Sequence, residues 1–394
     1  MEEDNEAQIP VKILIVWSGA LVPAYRQFFL ELARFMQVRA LGPRRWTHGS
    51  VSLGDPASPA DSASDHGENP HCRIIPTVFW PARSSRYFVP SLPLHLWMFR
   101  PRYLYLMEEM DRPTFLWHAL LAKLAWPPVK LVCYSLQNIA RPGYYRWHHA
   151  LALRLNGLLV HKAIAASREA AEVLSEHGFR GPVGTVPLWG SESVFTAGDP
   201  ARFIQARASL GIPADAVVIL FAGSLVESKG LLLLRDVLPR FPRLRLVAAG
   251  LGPLESVLRE SLGSQFISMG ALQGEALLRF YRMGDYIILP SITTADWKEQ
   301  IGRSLIEGIL CGCIALGSDS GHIPELTVLP ETTFRQGDGD SLSALLGRLP
   351  LPAADRIRAD QRRNVEARFT SAAVARATFE FLAADNAAPA REAA

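Results

Sequence analysis

Glu299 and Glu307 lie in the run Trp297-Lys298-Glu299-Gln300-Ile301-Gly302-Arg303-Ser304-Leu305-Ile306-Glu307-Gly308. Ser291 to Lys298, with two threonines and a tryptophan after Pro290, has no helical apolar period and reads as a loop. Ile301, Leu305, Ile306, Ile309 and Leu310 then fall at helical spacing, which predicts a helix from near Gly302. Glu299 therefore precedes the helix and Glu307 sits on its second turn. A glycine at the helix start lets a ligand approach backbone N–H groups whose partial positive charge favours phosphate. An ionised carboxylate only accepts hydrogen bonds, which suits hydroxyl-rich sugar and ribose edges better than phosphate. Two glutamates at this spacing are more often a solvated helix surface, so the surrounding chain has to decide.

The elements that would position this pair alternate between strand and helix. Val11 to Val16 is a buried-type strand, followed by Trp17-Ser18-Gly19 and a helical pattern from Pro23 to Met36. Arg73 to Val78, Tyr103 to Met107 and Lys130 to Tyr134 are further apolar strands separated by helical stretches. A second cycle starts after Pro187-Leu188-Trp189-Gly190: Ala216 to Phe221, Leu244 to Ala249, Phe266 to Met269, Tyr286 to Leu289 and Ile314 to Leu316. The alternation predicts two doubly wound α/β units with parallel sheets, joined by a hinge near residues 188–202. Ligands bind such sheets at the carboxyl ends of the strands, which makes the cleft between two units the expected site. Residues 47–70, rich in Ser, Ala, Asp, Gly and Pro, read as a flexible surface insertion.

Length and composition agree. A chain of 394 residues, 49% apolar and 20% charged, is globular and long enough for two cores. Cys72, Cys133, Cys311 and Cys313 form no C-x-x-C pair, and Cys311-Gly312-Cys313 sits in a strand-like apolar run, so small buried residues in a reducing compartment are expected. The acidic start (Glu2, Glu3, Asp4, Glu6) lacks the features of a secretory signal, and no apolar run approaches the roughly 18 residues of a membrane span. The expected location is cytoplasmic. The formal charge of +3 hides an asymmetry: from His71 to Val160 there are eleven Lys or Arg against three acidic residues, and seven of nine tryptophans lie before residue 150. Such a basic, aromatic half suits peripheral contact with an anionic membrane at its inner face, or a phosphate-bearing lipid acceptor. No nucleic-acid module accompanies the charge, and no nucleic-acid partner is expected.

Five segments of the second half, in order, resemble the nucleotide-binding domain of retaining glycosyltransferase family 4, the glycosyl transferases group 1 type with a two-domain GT-B fold. They are Gly223-Ser224-Leu225 with Lys229-Gly230; Gly250-Leu251-Gly252-Pro253; Asp285 with Pro290-Ser291; Glu299-Gln300-Ile301-Gly302 to Glu307; and Gly321-His322-Ile323-Pro324-Glu325. In the first half, Tyr25-Arg26, Glu108-Glu109 and Gln137-Asn138-Ile139 resemble a bacterial subgroup that builds polysaccharides and cell-surface glycans.

The resemblance implies an amino-terminal acceptor-side domain over 1–187, a nucleotide-sugar-binding domain over 188–369, and a carboxy-terminal helix within 370–394 that returns to the first domain and ends in a disordered tail. It implies an enzyme that transfers a hexosyl or other glycosyl group with retention, from a UDP-, GDP- or ADP-type sugar to a glycan or lipid-linked acceptor, with no metal or other cofactor. Lys229 would neutralise the donor pyrophosphate together with the helix start at Gly302 and Ser304. Glu299 would hold sugar hydroxyls, with the Gln300, Ile301 and Gly302 amides close by, and Glu307 would accept from the ribose. Gly270-Ala271-Leu272 would pack on the base, and Gly19 would admit the phosphate or acceptor from the other domain.

Departures from the pattern matter. Ser224 replaces an arginine that many members carry, and Met107 stands where a histidine is common, followed by Glu108 and Glu109, which are candidates for its catalytic role or else a solvated strand end. Glu192 occupies a position where an aspartate is common. Asp338-Gly339-Asp340 resembles a metal triplet but precedes a helical run, so Asp340 reads as an N-cap. Gly250-x-Gly252 lacks the third glycine of the dinucleotide fingerprint, and His148-His149 lack a third metal ligand in the sequence. A GT-B-fold sugar-nucleotide epimerase and a catalytically weak sugar-nucleotide-binding partner subunit are the alternative readings.

Overall fold

The computed structural model describes residues 11–48, 51–53, 69–81, 87–140, 147–190, 192–198 and 200–384. The chain divides into two compact units, one formed by Met1–Trp189 with Ser371–Ala394 and the other by Gly190–Thr370.

The first unit is a seven-stranded parallel sheet. In chain order its strands are β1 (Lys12–Val16), β2 (Gln37–Pro43), the short pair β3 (Trp46–His48) and β4 (Val51–Leu53), then β5 (Cys72–Thr77), β6 (Tyr103–Leu106), β7 (Lys130–Ser135), β8 (Val160–Ala165) and β9 (Val183–Thr185). The sheet runs β5-β2-β1-β6-β7-β8-β9, while β3 and β4 pair antiparallel by themselves. The hairpin takes in the start of the expected insertion, with Thr47↔Ser52 and His48↔Val51 in register. Residues 49–50 and 54–68 of the expected insertion and the acidic amino terminus lie outside the described residues.

The second unit is a six-stranded parallel sheet of β10 (Val217–Ala222), β11 (Leu244–Ala249), β12 (Phe266–Ser268), β13 (Tyr286–Leu289), β14 (Ile314–Ser318) and β15 (Thr333–Phe334), ordered β12-β11-β10-β13-β14-β15. Its central strands are apolar without alternation because helices cover both faces, so each side chain of Tyr286–Leu289 is buried. In both sheets the chain moves outward from the first strand and then returns to its other side. The strand order therefore reverses between β1 and β6 in one unit and between β10 and β13 in the other, and loops leaving these strands at their carboxyl ends part around a crevice.

The helix Ser371–Ala383 belongs to the first unit and packs on the helix Arg26–Leu32, with Phe35 and Phe379 stacked at 5.1 Å. Its carboxyl end meets the buried Lys162, whose Nζ donates to the Phe381 carbonyl at 2.5 Å, and Tyr103 O–H donates to the Leu382 carbonyl at 2.8 Å. Residues 385–394 lie outside the described residues.

Candidate active site

The crevice of the second unit is built from two loops that leave β10 and β13. After β10, Gly223-Ser224 leads to a short 3-10 turn, Glu227–Lys229, closed by Gly230 at φ 72°. A Cβ at Gly230 would overlap the Pro290 carbonyl oxygen, so only glycine lets this turn rest on the end of β13. Ile292 N–H donates to the Ser228 carbonyl at 2.9 Å, which ties the two loops together. That junction aims Lys229 at the β13 loop.

Lys229 Nζ donates to Glu299 Oε2 at 2.6 Å, and Ser291 Oγ donates to the same oxygen at 2.8 Å. The Lys229 ammonium also lies 4.6 Å from the Trp297 ring centroid. Glu299 is buried, so the lysine and the serine hold a carboxylate that would otherwise be costly to remove from water. Its backbone is fixed too: His322 N–H donates to the Glu299 carbonyl at 3.2 Å, and Gly321, at φ 54°, has no room for a Cβ beside that carbonyl. Thr293 N–H donates to Gln336 Oε1 at 2.7 Å and Ser318 Oγ to the Ser291 carbonyl at 2.6 Å, so the β14 side of the sheet supports the same loop.

The helix expected from Gly302 runs Arg303–Leu310, with Gly302 as N-cap in the left-handed region and no side-chain cap. Its first intrahelical donors, Leu305 and Ile306, both reach the Gly302 carbonyl, so the amides ahead of them lie outside the helix's own ladder. No acidic residue occupies the first turn, which leaves the positive end of the helix beside Ser304 without an internal counter-charge. Glu307 is buried on the second turn and accepts from Tyr281 O–H at 2.7 Å. Burial pushes its carboxyl above the usual range, against the pull of the Tyr281 hydrogen bond and of Arg303.

The loop after β12 supplies Gly270, exposed Ala271 and half-buried Leu272, and Gly250 N–H donates to the Gly270 carbonyl at 2.8 Å. Ser224 is exposed in the loop after β10. The sequence-predicted donor residues of this unit therefore all stand at the carboxyl edge of one sheet. Asp285 does not: it accepts from Arg207 Nη2 and from Val218 N–H, both at 2.8 Å, at the amino end of β13, where it joins strands. Asp340 is not the cap of its helix either. The helix begins at Gly339 and Asp338 accepts from Ser341 N–H at 2.9 Å, because Gly339 enters the helix and moves the cap two positions back. Sequence reasoning gave no role to Ser291, Trp297, Tyr281 or Gln336; Ser291 and Trp297 sit beside the expected residues, whereas Tyr281 and Gln336 are remote in the chain and carry no local signal.

In the first unit the corresponding crevice has Gly19 in the turn after β1 and Glu108-Glu109 after β6. Neither glutamate is a solvated strand end. Glu108 is buried, accepts from the Thr114 hydroxyl, and stands 3.6 Å from His118 Nδ1, while His118 Nε2 accepts from Val89 N–H at 3.1 Å. Glu109 accepts from Leu136 N–H and Ser135 Oγ, each at 2.7 Å. Burial pushes its carboxyl up to about 7 although both donors favour the charged form. Met107 is buried and Asn138, from Gln137-Asn138-Ile139, is buried beyond β7. Tyr25 joins an aromatic group, tilted against Trp17 (4.7 Å) and edge-on to Trp189 (5.8 Å). His149 Nδ1 lies 3.1 Å from the Asp111 carbonyl, and no group of three potential metal ligands occurs among the described residues.

Residues 203–346, which hold the whole β10 to β14 site, match the family model for glycosyl transferases group 1. This stretch of the second unit is similar to the glycosyl transferases group 1 domain. Within it lie Lys229, Ser291, Glu299, Gly302 and Glu307. A sulfoquinovosyl transferase of Arabidopsis thaliana is 30% identical over 129 residues, 32% of this chain and 24% of that relative. The matched stretch spans between 24% and 37% of the curated relatives' length. The fold is shared over nearly the whole chain. A sucrose-phosphate synthase of Thermosynechococcus elongatus superposes with a TM-score of 0.70 at 19% identity, covering 96% of this chain and 99% of that one. HepE of Anabaena, in complex with UDP and glucose, gives 0.68 at 16% identity, covering 95% and 100%. Two parallel-sheet Rossmann-like units of the GT-B type are thus the architecture that holds the stretch matching the group 1 model.

Proposed function

We propose that the protein is a retaining glycosyltransferase that moves a sugar from a nucleotide-diphosphate sugar to a glycan or lipid-linked acceptor in cell-surface polysaccharide synthesis, acting on the cytoplasmic side of a membrane. The observation that carries this reading is the Lys229–Glu299–Ser291 cluster beside the glycine-capped start of the Arg303–Leu310 helix, inside the stretch that matches the group 1 model. An ammonium has three N–H donors, and the bond to Glu299 uses one of them. In this reading Lys229 and the first-turn amides of the helix stabilise the negative charge that develops on the departing diphosphate. Glu299 accepts from hydroxyls of the transferred sugar, Glu307 from the ribose, and the 270–272 loop packs on the base. Departure of the diphosphate is the costly step, and fixed donors aimed at its oxygens lower that cost more than a dedicated base would. The acceptor hydroxyl gives its proton to the leaving phosphate on the same face of the sugar, and the new bond forms there, which retains the anomeric configuration. No step calls on a metal ion.

A thermal-shift screen of UDP-, GDP- and ADP-sugars tests the donor assignment, because a ligand that binds the folded state raises Tm with its concentration over Kd. NMR of the anomeric proton in the product then reads retention. Conversion of the sugar nucleotide to its C2 epimer without acceptor would replace the transferase reading with an epimerase.

A further inference from the structure

Twelve of the sixteen exposed large apolar side chains among the described residues lie between Val78 and Leu158, all in the first unit; the other four are scattered singly through the second. Single exposed hydrophobes are ordinary, whereas a concentration of this kind marks an interaction surface. These side chains come from neighbouring elements. The helices Leu92–Phe99, Pro113–Ala125 and Trp147–Leu159 lie side by side in that order. Their inner faces supply Leu96, Phe115 and Ala119 to the core, with Leu153 packed against it. Their outer faces present Trp97 and Met98, then Trp117 and Leu124, then Trp147 and Leu158. Leu124 and Leu158 are 80% and 81% exposed and Trp147 77%. Trp117 meets Phe88 edge-on at 6.0 Å and Phe88 lies 6.2 Å from Trp80, which carries the apolar surface past the helices.

Between His71 and Val160 the exposed charges among the described residues are all basic. Arg100, Arg102 and Arg154 are exposed, and the Arg100 guanidinium lies 5.6 Å from the Trp126 ring, at the junction of the first two helices. The three carboxylates between His71 and Val160 are withdrawn: Glu108 is buried, and Glu109 and Asp111 are half-buried. A second copy of the chain seated on this face would oppose like charges across a two-fold interface. A bilayer surface rich in anionic headgroups takes both features at once, with tryptophan and leucine at the acyl boundary and arginine at the phosphates. No described helix is long and apolar enough to cross a membrane, so the fit is to lying on the surface.

We propose that this three-helix face of the first unit docks the protein on an anionic phospholipid surface. The test is co-sedimentation of the full chain with vesicles of phosphatidylcholine alone and of phosphatidylcholine mixed with phosphatidylglycerol, at low and high salt. A Trp97→Ser, Leu124→Gln, Leu158→Gln variant replaces exposed side chains only. The wild type is expected to pellet with the anionic vesicles and to be released in part by salt, and the variant's apparent affinity to fall at least about tenfold, since binding scales with the apolar area inserted. The thermal shift by UDP-sugar, read in the same samples, is expected to be equal in both, so failure of the donor assignment leaves this result standing. A wild type that stays in the supernatant with anionic vesicles at low salt overturns the proposal. So does a variant that pellets as well as the wild type, or a wild-type dimer that the variant dissociates without any vesicle binding.

Discussion

Lys229 Nζ and Glu299 Oε2 are 2.6 Å apart although seventy positions separate them, and they join the β10 and β13 loops at the point where the strand order reverses. The pair is shielded rather than solvent-bathed, with Trp297 against the ammonium and Ser291 on the carboxylate. Lys229→Ala therefore removes a cation from the crevice and leaves a buried carboxylate with a single side-chain donor from this cluster. Donor affinity or kcat/KM is expected to fall at least about tenfold, or roughly 1.4 kcal/mol, measured by titration with the UDP-, GDP- or ADP-sugar that shifts Tm most. Wild-type donor binding in a well-folded Lys229→Ala protein would sink the donor assignment.

Glu307 and Tyr281 offer a way to separate binding from folding. In Glu307→Gln the amide oxygen still accepts from Tyr281 O–H, so the unfolding temperature should stay close to that of the wild type while donor affinity drops at least about tenfold. Tyr281→Phe does the reverse: it leaves a carboxylate oxygen in the core without its donor, which costs about 1–3 kcal/mol of stability. Denaturant melts of the two variants next to donor titrations decide between a ribose-binding and a purely structural glutamate.

Gly230 controls where Lys229 sits. Its φ of 72° and the absence of room beside the Pro290 carbonyl mean that Gly230→Ala must either strain the backbone or push the turn off β13. A loss of stability of at least about 1 kcal/mol is expected, accompanied by weaker donor binding. A neutral effect on both would show that the junction of the two loops is not rigid.

Much of this architecture is legible in the chain because parallel strands covered on both faces are written as unbroken apolar runs, such as Val217 to Phe221 and Tyr286 to Leu289. The helix at Gly302 is legible for a related reason: the apolar period resumes at one residue, and that residue is a glycine. What closes the site is not. Tyr281 reaches Glu307 over 26 positions and Ser135 reaches Glu109 over 26, contacts that depend on sheet order and leave no periodic trace. The choice between Asp338 and Asp340 as cap is local and still undetermined by pattern, since either aspartate can accept from a backbone N–H three positions on. The outward apolar faces of the first unit are hidden for the opposite reason: helices apolar on both sides, such as Leu92–Phe99, do not say which side meets the sheet.

Glu109 should make stability depend on pH. Burial pushes its carboxyl up to about 7 from the ordinary 4.5, so the folded state holds the proton more tightly than the unfolded chain does. The contribution is fully present below about 4.5 and lost as pH rises through 7, at up to about 1.4 kcal/mol per pH unit within that window. Glu109→Gln cannot ionise; its amide oxygen can face the Leu136 N–H while its NH2 donates to the Ser135 hydroxyl. Between pH 5 and about 7 the variant should gain stability relative to the wild type, and above this window the difference should level off. Parallel melting curves that stay a fixed distance apart across this range would place the titration elsewhere.

Lys162 is expected to fasten the terminal helix to the first unit. The last carbonyls of any helix lack internal partners, and here the Phe381 and Leu382 carbonyls receive the Lys162 ammonium and the Tyr103 hydroxyl, with the ammonium also 4.7 Å from the Phe381 ring. The negative end of the helix dipole favours this cation, which compensates for taking it out of water. Lys162→Met keeps the length and apolar bulk of the side chain but takes the ammonium donor from the Phe381 carbonyl and leaves the Leu382 carbonyl to Tyr103. A destabilisation of about 1–3 kcal/mol is expected, with hydrogen exchange accelerating first in Ser371–Ala383 and in the Arg26–Leu32 helix that it covers. Exchange rising evenly over both units would mean that the lysine supports the whole sheet and not the docking of this helix.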